Sequence, residues 1–268
     1  MTEPIDRGSE HVQSLARGLS VIKAFSATSP ELTLSEVARA TGLTRAAARR
    51  FLLTLVNLGY VRTDGRLFAL SPRVLDLGYA YLSGLSLPEV AEPHLERLVA
   101  EVRESASVAV LDGEDVVYVA RVATSRIMRV TINIGTRFPA HCTSMGRVLL
   151  AWLPPDDLDA YLGRVEFHRF TPNTITSPAA LRTELEKVRA QGWAMVDQEL
   201  EEGLRSIAVP VRERSGRVSA AINISSHASR TTPESARRDL LPPLLATAAR
   251  VETDLHASGV RSGSLSHR

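Results

Sequence analysis

At 268 residues the chain exceeds an average domain and can bury at least one substantial core, so two domains are the natural expectation. Apolar residues make up 44% and charged residues 23%, and no run approaches the roughly 18 apolar residues a membrane helix requires, so no membrane partner is expected. The formal charge of +2 hides an asymmetry: nine Lys or Arg stand against three Asp or Glu from His11 to Arg73, a balance of +6, whereas beyond Ala80 22 basic residues face 23 acidic ones. That points to an anionic partner for the N-terminal part alone, with a solvated basic face as the plain alternative.

The opening "MTEPIDRGSE" is polar and has no apolar signal region, which makes the cytoplasm the expected location. A single cysteine, Cys142, leaves no internal disulfide framework, and the seven histidines show no close metal-binding spacing. Neither a metal nor a cofactor is expected.

"SLARGLSVIKAFS" places Leu15, Leu19, Ile22 and Phe25 at helical spacing, which predicts a first helix that buries this stripe and stops near Ser26. "LTLSEVARATG" offers Thr33 or Ser35 as cap, Leu34, Val37 and Ala38 as inner face and Gly42 as stop. A third helix follows after a tight turn. In "TRAAARRFLLTL", 100° per residue gathers Ala48, Phe51, Leu52 and Leu55 on one side and Ala46, Arg49 and Arg50 on the other, with Arg45 at the margin and Thr44 as cap. Small residues let such a helix approach closely, arginines take guanine edges or phosphates, and the helix N-terminus adds free N–H groups. "GYVRTDGRLFAL" then reads as a hairpin turning at Asp64 and Gly65, with Arg62 and Arg66 flanking its tip. Three helices and a hairpin make a winged helix-turn-helix, with Thr44, Arg45, Ala46, Arg49, Arg50, Arg62 and Arg66 as its candidate contacts to double-stranded operator DNA.

"RGLSVIKAF", "LTLSEVARATGLTRAAARRFLLTLVNLGYV" and "FALSPRVLDLGYAYLSG" resemble the DNA-binding domain and linker helix of the isocitrate-lyase-regulator (IclR) family of bacterial transcription factors. The expected organisation is a winged helix-turn-helix over 11–71, a linker helix over 72–86 opened by Ser71 and Pro72, a sensor domain over 87–258 and a disordered tail over 259–268.

In the larger part, a helix opens at Pro88, and "SVAVLDGEDVVYVARV" reads as two strands about Asp112 and Gly113, followed by a further strand in "MRVTINIG". Helices are expected in "TSMGRVLLAWL" and "SPAALRTELEKVRAQG", and a hairpin closes at Ser215 and Gly216. The last helix is expected to kink at Pro242 and Pro243. Sheet with flanking helices is an α+β fold. Asn223 and Ser225 alternate with Ile222 and Ile224, so both face one side of their strand, onto solvent or into a polar cavity. A helix start near Ser144 would suit a carboxylate. His141 and Cys142 are neighbours whose side chains diverge, so a packed cysteine is expected rather than a nucleophile, and no catalytic residue is expected.

"GTRFPAHCTSMGRVLLA", "VDQELEEGLRSIAVPV" and "AAINISS" resemble the signature segments of that family's effector-binding domain, a GAF/PAS-like α+β fold. Carried over, the resemblance implies an effector wall of Ser144, Met145, Gly146, Asp197, Ser206, Asn223 and Ser225 and a small organic acid as ligand. Many members carry cysteine in place of Ser206 and serine in place of Asn223. The chain is also similar to the branch that controls the β-ketoadipate route, which implies protocatechuate, 4-hydroxybenzoate or β-ketoadipate as effector, and homodimers that can associate to tetramers on DNA. Arg137 and His141 are cationic candidates for balancing a carboxylate, with a surface salt bridge as the alternative for each. Two other readings stay open: an aromatic-acid enzyme with an appended DNA-binding domain, and a C-terminal domain that serves only to dimerise.

Overall fold

The computed structural model of the protein describes residues 12–26, 28–77, 86–124 and 132–257. The chain divides near residue 84 into two compact units.

The N-terminal unit contains helices α1 (Gln13–Lys23), α2 (Leu34–Thr41) and α3 (Arg45–Asn57) and strands β1 (Glu31–Thr33), β2 (Val61–Thr63) and β3 (Leu67–Leu70). Thr33 caps α2 reciprocally: its Oγ1 accepts from Glu36 N at 3.4 Å while Glu36 Oε2 accepts from Thr33 N at 2.7 Å. Gly42 ends α2 at φ +66°, the left-handed conformation that turns the chain into α3. At the start of α3, Thr44 Oγ1 accepts from Ala47 N at 3.2 Å. Val37, Ala48, Leu52, Leu55, Val61 and Phe68 bury together as the core.

The hairpin turns where expected, with Asp64 Oδ1 accepting from Arg66 N (2.8 Å) and Leu67 N (2.7 Å). Beyond expectation, β1 joins it to give a three-stranded sheet ordered β1-β3-β2. The first helix buries only the C-terminal half of its predicted stripe, with Ile22 packed against the core. Val21 and Phe25 face the core, whereas Leu15 and Leu19 are 63% and 46% exposed. The heptad-like spacing is real, but the helix turns only its last two turns onto its neighbours. The hydroxyl of Ser71 donates to the Gly59 carbonyl instead of capping the next helix. Pro72–Val74 form a 3-10 turn that becomes helical at 75–77, and the continuation of the linker helix to Tyr81 lies outside the described residues.

The C-terminal unit is a six-stranded antiparallel sheet, ordered β6-β5-β4-β9-β8-β7, from β4 (Ser105–Asp112), β5 (Asp115–Val122), β6 (Arg137–Pro139), β7 (Ala194–Asp197), β8 (Leu204–Arg212) and β9 (Val218–His227). One face is covered by α4 (Ser86–Val102) and α8 (Leu241–Ala257), which bury Leu95, Leu98, Val108, Ile207, Ile222, Ile224 and Leu244 against it. The other carries α5 (Ser144–Ala151), α6 (Pro155–Arg164) and α7 (Pro178–Gln191) over Ala109, Val116, Ala208 and Ala221. Helix α7 has its expected ends, Ser177 as cap and Gly192 at φ +86°. Helix α6 was not foreseen in the sequence.

The described part of "MRVTINIG", residues 132–135, is a turn; the strand there is β6. Its preceding residues and the tail over 259–268 lie outside the described residues. The C-terminal helix is interrupted before its prolines by a π-turn over Ala236–Leu240. A proline cannot donate to the carbonyl four residues back and its ring crowds that oxygen, so the wider turn precedes Pro242 and Pro243, which sit at the start of α8.

Leu52 is wholly buried at the centre of the N-terminal core. Leu52→Ala is expected to destabilise that unit by about 2–5 kcal/mol and to lower its thermal transition in calorimetry, leaving the transition of the C-terminal unit in place.

Candidate DNA interface and effector cavity

Helix α3 presents Arg45, Ala46, Arg49 and Arg50 to solvent from its first two turns, beside the Thr44 cap. Among the described residues none of these arginines makes an ion pair, so their guanidinium groups are free to meet an anion. Arg66 is exposed at the hairpin tip, while Arg62 lies 3.4 Å from Glu31. That pair is exposed on both sides and opens at little cost.

The second site lies in the C-terminal unit, between the sheet and α5. Its walls include Tyr118, Phe138, Cys142, Thr143, Ser144, Val196, Leu204, Ser206, Asn223 and Ser225, and the β7–β8 loop adds Leu200 and Glu201. The alternation of β8 and β9 aims Ser206, Asn223 and Ser225 at the cavity and their neighbours Ile207, Ile222 and Ile224 into the opposite core. The exposed-face reading of Asn223 and Ser225 is thereby replaced: Asn223 is 3% exposed, and its Nδ2 donates to Ser225 Oγ at 3.1 Å. Asn223 Oδ1 and Ser144 Oγ are buried without a partner among the described residues. Tyr118 and Phe138 meet edge to face with centroids 5.7 Å apart, a wall suited to an aromatic ring. The free space is about 20 Å³, room for roughly one water. A larger ligand must spread these walls.

Three of the seven implied wall residues are placed elsewhere. Asp197 alternates with Val196, so its carboxylate faces away and accepts two bonds from Arg205, at 3.0 and 2.9 Å. Met145 packs into the core beneath α5. Gly146 is a contact glycine, because a Cβ there would lie 2.1 Å from the Ala140 carbonyl oxygen. It lets the 140–142 turn lie against the helix.

Neither cationic candidate reaches the cavity. Arg137 is held at the surface by Asp112 (2.6 Å) and Asp115 (3.1 Å). His141 is neither a surface residue nor a salt-bridge partner: it is fully buried, its ring 5.1 Å from that of Phe167. Burial, and then the neighbouring Arg147, push its pKa down to about 4. Cys142 does line the cavity, but burial and then Glu199 push its thiol up to about 12, which keeps it protonated and a poor nucleophile.

The sequence reading missed Arg147, which is 2% exposed. Its Nη2 donates to Glu199 Oε2 at 2.5 Å and its Nε to the His141 carbonyl at 3.1 Å. Glu199 Oε2 also accepts from Ile175 N at 3.1 Å, and the Glu199 carbonyl accepts from Thr174 Oγ1 at 2.6 Å. The pair ties α5 to the loop that closes the cavity. An arginine inside "SMGRVLLA" was the available signal, since all eight residues of α5 are buried.

Residues 14–65 match the IclR helix-turn-helix domain and residues 79–253 the bacterial transcriptional regulator IclR C-terminal domain. The chain belongs to the IclR family. It is 47% identical to the Pca regulon regulatory protein of Pseudomonas putida over 88% of this chain and 82% of that one. It is 37% identical to the p-hydroxybenzoate hydroxylase transcriptional activator of Acinetobacter baylyi over 90% and 91%. Among solved structures, a transcriptional regulator from Rhodococcus sp. RHA1 superposes with a TM-score of 0.84 at 59% identity, covering 93% of this chain and all of that one. An IclR homologue from Microbacterium hydrocarbonoxydans, complexed with 4-hydroxybenzoate, gives 0.81 at 28% identity over 91% and 99%. The protein is therefore a DNA-binding transcriptional regulator with a C-terminal ligand-binding domain of this family.

A histidine held neutral by burial binds its proton more weakly folded than unfolded, so its contribution to stability is complete above pH 6.5 and falls as the pH drops towards 4. In chemical denaturation, His141→Phe is expected to flatten that part of the pH dependence relative to wild type; the same slope in both proteins would refute the assignment.

Proposed function

We propose that the protein is a homodimeric, cytoplasmic regulator of aromatic-acid catabolism, whose effector is a small aromatic carboxylate of the protocatechuate and 4-hydroxybenzoate type. The observation that carries this reading is the cavity, where two buried polar atoms, Ser144 Oγ and Asn223 Oδ1, lie without partners among the described residues beside the Tyr118 and Phe138 rings. The relatives that regulate Pca and p-hydroxybenzoate genes support it, as does the 4-hydroxybenzoate complex of the Microbacterium homologue. This reading needs no catalytic step, and burial makes the one thiol at the cavity a poor nucleophile.

At the DNA end, the reading places α3 in the major groove, with Arg45, Arg49 and Arg50 meeting base edges and phosphates and Arg66 at the wing touching the backbone. Val12, Leu15 and Leu19 form an exposed apolar stripe on α1 that suits a second copy of the chain, which would set two α3 helices over two half-sites. Effector binding spreads a cavity closed to all but a water, so the bound and free sensor domains differ in the β7–β8 loop, the kind of two-state element a ligand can bias.

Arg49→Ala is expected to weaken binding to the operator by about 1–3 kcal/mol in a fluorescence-anisotropy titration at fixed salt, and an unchanged affinity would remove this helix from the groove. Thermal unfolding against protocatechuate, 4-hydroxybenzoate, β-ketoadipate, catechol, glyoxylate and pyruvate tests the effector. A cognate compound at 100 times its dissociation constant stabilises by about 2.7 kcal/mol, an effect that Asn223→Ala should abolish and Asp197→Ala should largely spare.

A further inference from the structure

The described cavity wall has one ionisable carboxylate, Glu201, and no cation. An acid entering it would be desolvated with nothing opposite to its charge. The residue that resolves this lies on the same face of the sheet, one strand beyond the polar row.

The register places Arg121 on β5 opposite Ser107 on β4, and Ser107 opposite Asn223 on β9. The next row along is Ser105, Ser225 and Ser206. Strict alternation along β5 would put Arg121 on the face opposite Tyr118, three residues earlier. A β-bulge where the pairing shifts between Val108 and Ala109 resets the phase, so that Val119 and Ala120 both enter the apolar core and Tyr118 and Arg121 share the cavity side. Arg121 is half-buried, and its Nη1 donates to Ser107 Oγ at 3.3 Å, which draws the guanidinium across β4 towards Asn223. Strands lie about 4.8 Å apart, so Asn223 is only one strand further on. That bond uses one of five guanidinium N–H donors, and among the described residues no carboxylate stands within ion-pair distance of Arg121. A half-buried, unpaired guanidinium on a buried row of hydroxyls and an amide is a receptor for a planar carboxylate.

We propose that Arg121 receives the effector's carboxylate, holding it over Ser107 and Asn223 while the ring lies against Tyr118 and Phe138, and that it thereby selects acids over neutral analogues. This rests on the aromatic-acid reading above. Ser144, on the helix side of the cavity, is left to meet a hydroxyl at the far end of the ring. Arg121 thus takes the role that the sequence offered to Arg137 and His141, and the ligand class becomes a hydroxylated aromatic monocarboxylate.

The test is calorimetric titration of the full chain with 4-hydroxybenzoate and with neutral 4-hydroxybenzamide, on wild type, Arg121→Met, Arg121→Lys and Asn223→Ala. Wild type is expected to prefer the acid by tenfold or more, from a charge-assisted hydrogen bond that Arg121→Met loses, with a drop of roughly tenfold to a hundredfold for the acid and none for the amide. Arg121→Lys should regain part of the preference. Equal wild-type affinity for acid and amide overturns the proposal without needing any variant to fold. Undiminished acid binding in Arg121→Met, with loss in Asn223→Ala, overturns the role of Arg121 and leaves the effector cavity standing. Wild type that binds neither compound removes the aromatic-acid reading and this one together.

Discussion

A guanidinium cannot be buried alone, and the C-terminal unit is organised around that constraint at Arg147. Removing one partner of a buried pair typically costs about 3–5 kcal/mol, because the other charge is then left without water or counter-charge. Glu199 supplies the near counter-charge from the loop between β7 and β8, Glu184 on α7 stands 3.9 Å from the same guanidinium, and the His141 carbonyl and Ile175 N join the network. Three separate segments, the 139–142 turn, the 171–176 stretch and the 198–203 loop, are therefore held against one helix. The first and last of them line the cavity, through Cys142 and through Leu200 and Glu201. Gly146 allows the first of these to approach, and Gln198 accepts a left-handed backbone at φ +58° to start the last.

The sheet then separates two chemistries. Towards α4 and α8 it is largely apolar, with Val, Ile and Leu packed together, and the Asp197–Arg205 pair and Ser226 stand at one end of that face. Towards α5 the same strands carry Ser105, Ser107, Ser206, Asn223 and Ser225, all buried. Of these, Asn223 Oδ1 is buried without a partner among the described residues, an expensive arrangement that a ligand or water can complete. The DNA-binding unit has the reverse layout: a small apolar core inside and, outside, the α3 arginines, which make no ion pair among the described residues and face a large anionic partner at the surface. One chain thus carries exposed cations on its DNA-binding unit and a buried polar row inside its C-terminal unit.

Much of this was legible from residues alone where the signal is local. Thr33, Gly42, Thr44, Ser177 and Gly192 act on backbone groups within four positions, so the helix ends follow from sequence. The outward arginines of α3 follow from its period, since a helix of one apolar stripe has one other side. The failures are non-local. Leu15 and Leu19 have the spacing of a core stripe, but whether a face finds a neighbour depends on where the other helices lie. Asp197 was assigned by its place in a signature segment, and the pairing of β7 with β8 turned it towards Arg205. Arg121 was invisible because a bulge on a neighbouring pair decides which face it occupies.

The sequence by itself determined the two-part organisation, the winged helix-turn-helix with its recognition helix, and the alternation that puts Asn223 and Ser225 on one face. Each rests on periodicity or on a cap of short range. Tertiary structure decided which of the implied wall residues meet in space, that Arg147 and Glu199 lock the cavity, and that Arg121 rather than Arg137 or His141 stands on its polar row. Those outcomes depend on strand register, on a bulge and on loop closure across 52 positions between Arg147 and Glu199. Contacts so far apart along the chain leave no periodic trace in it.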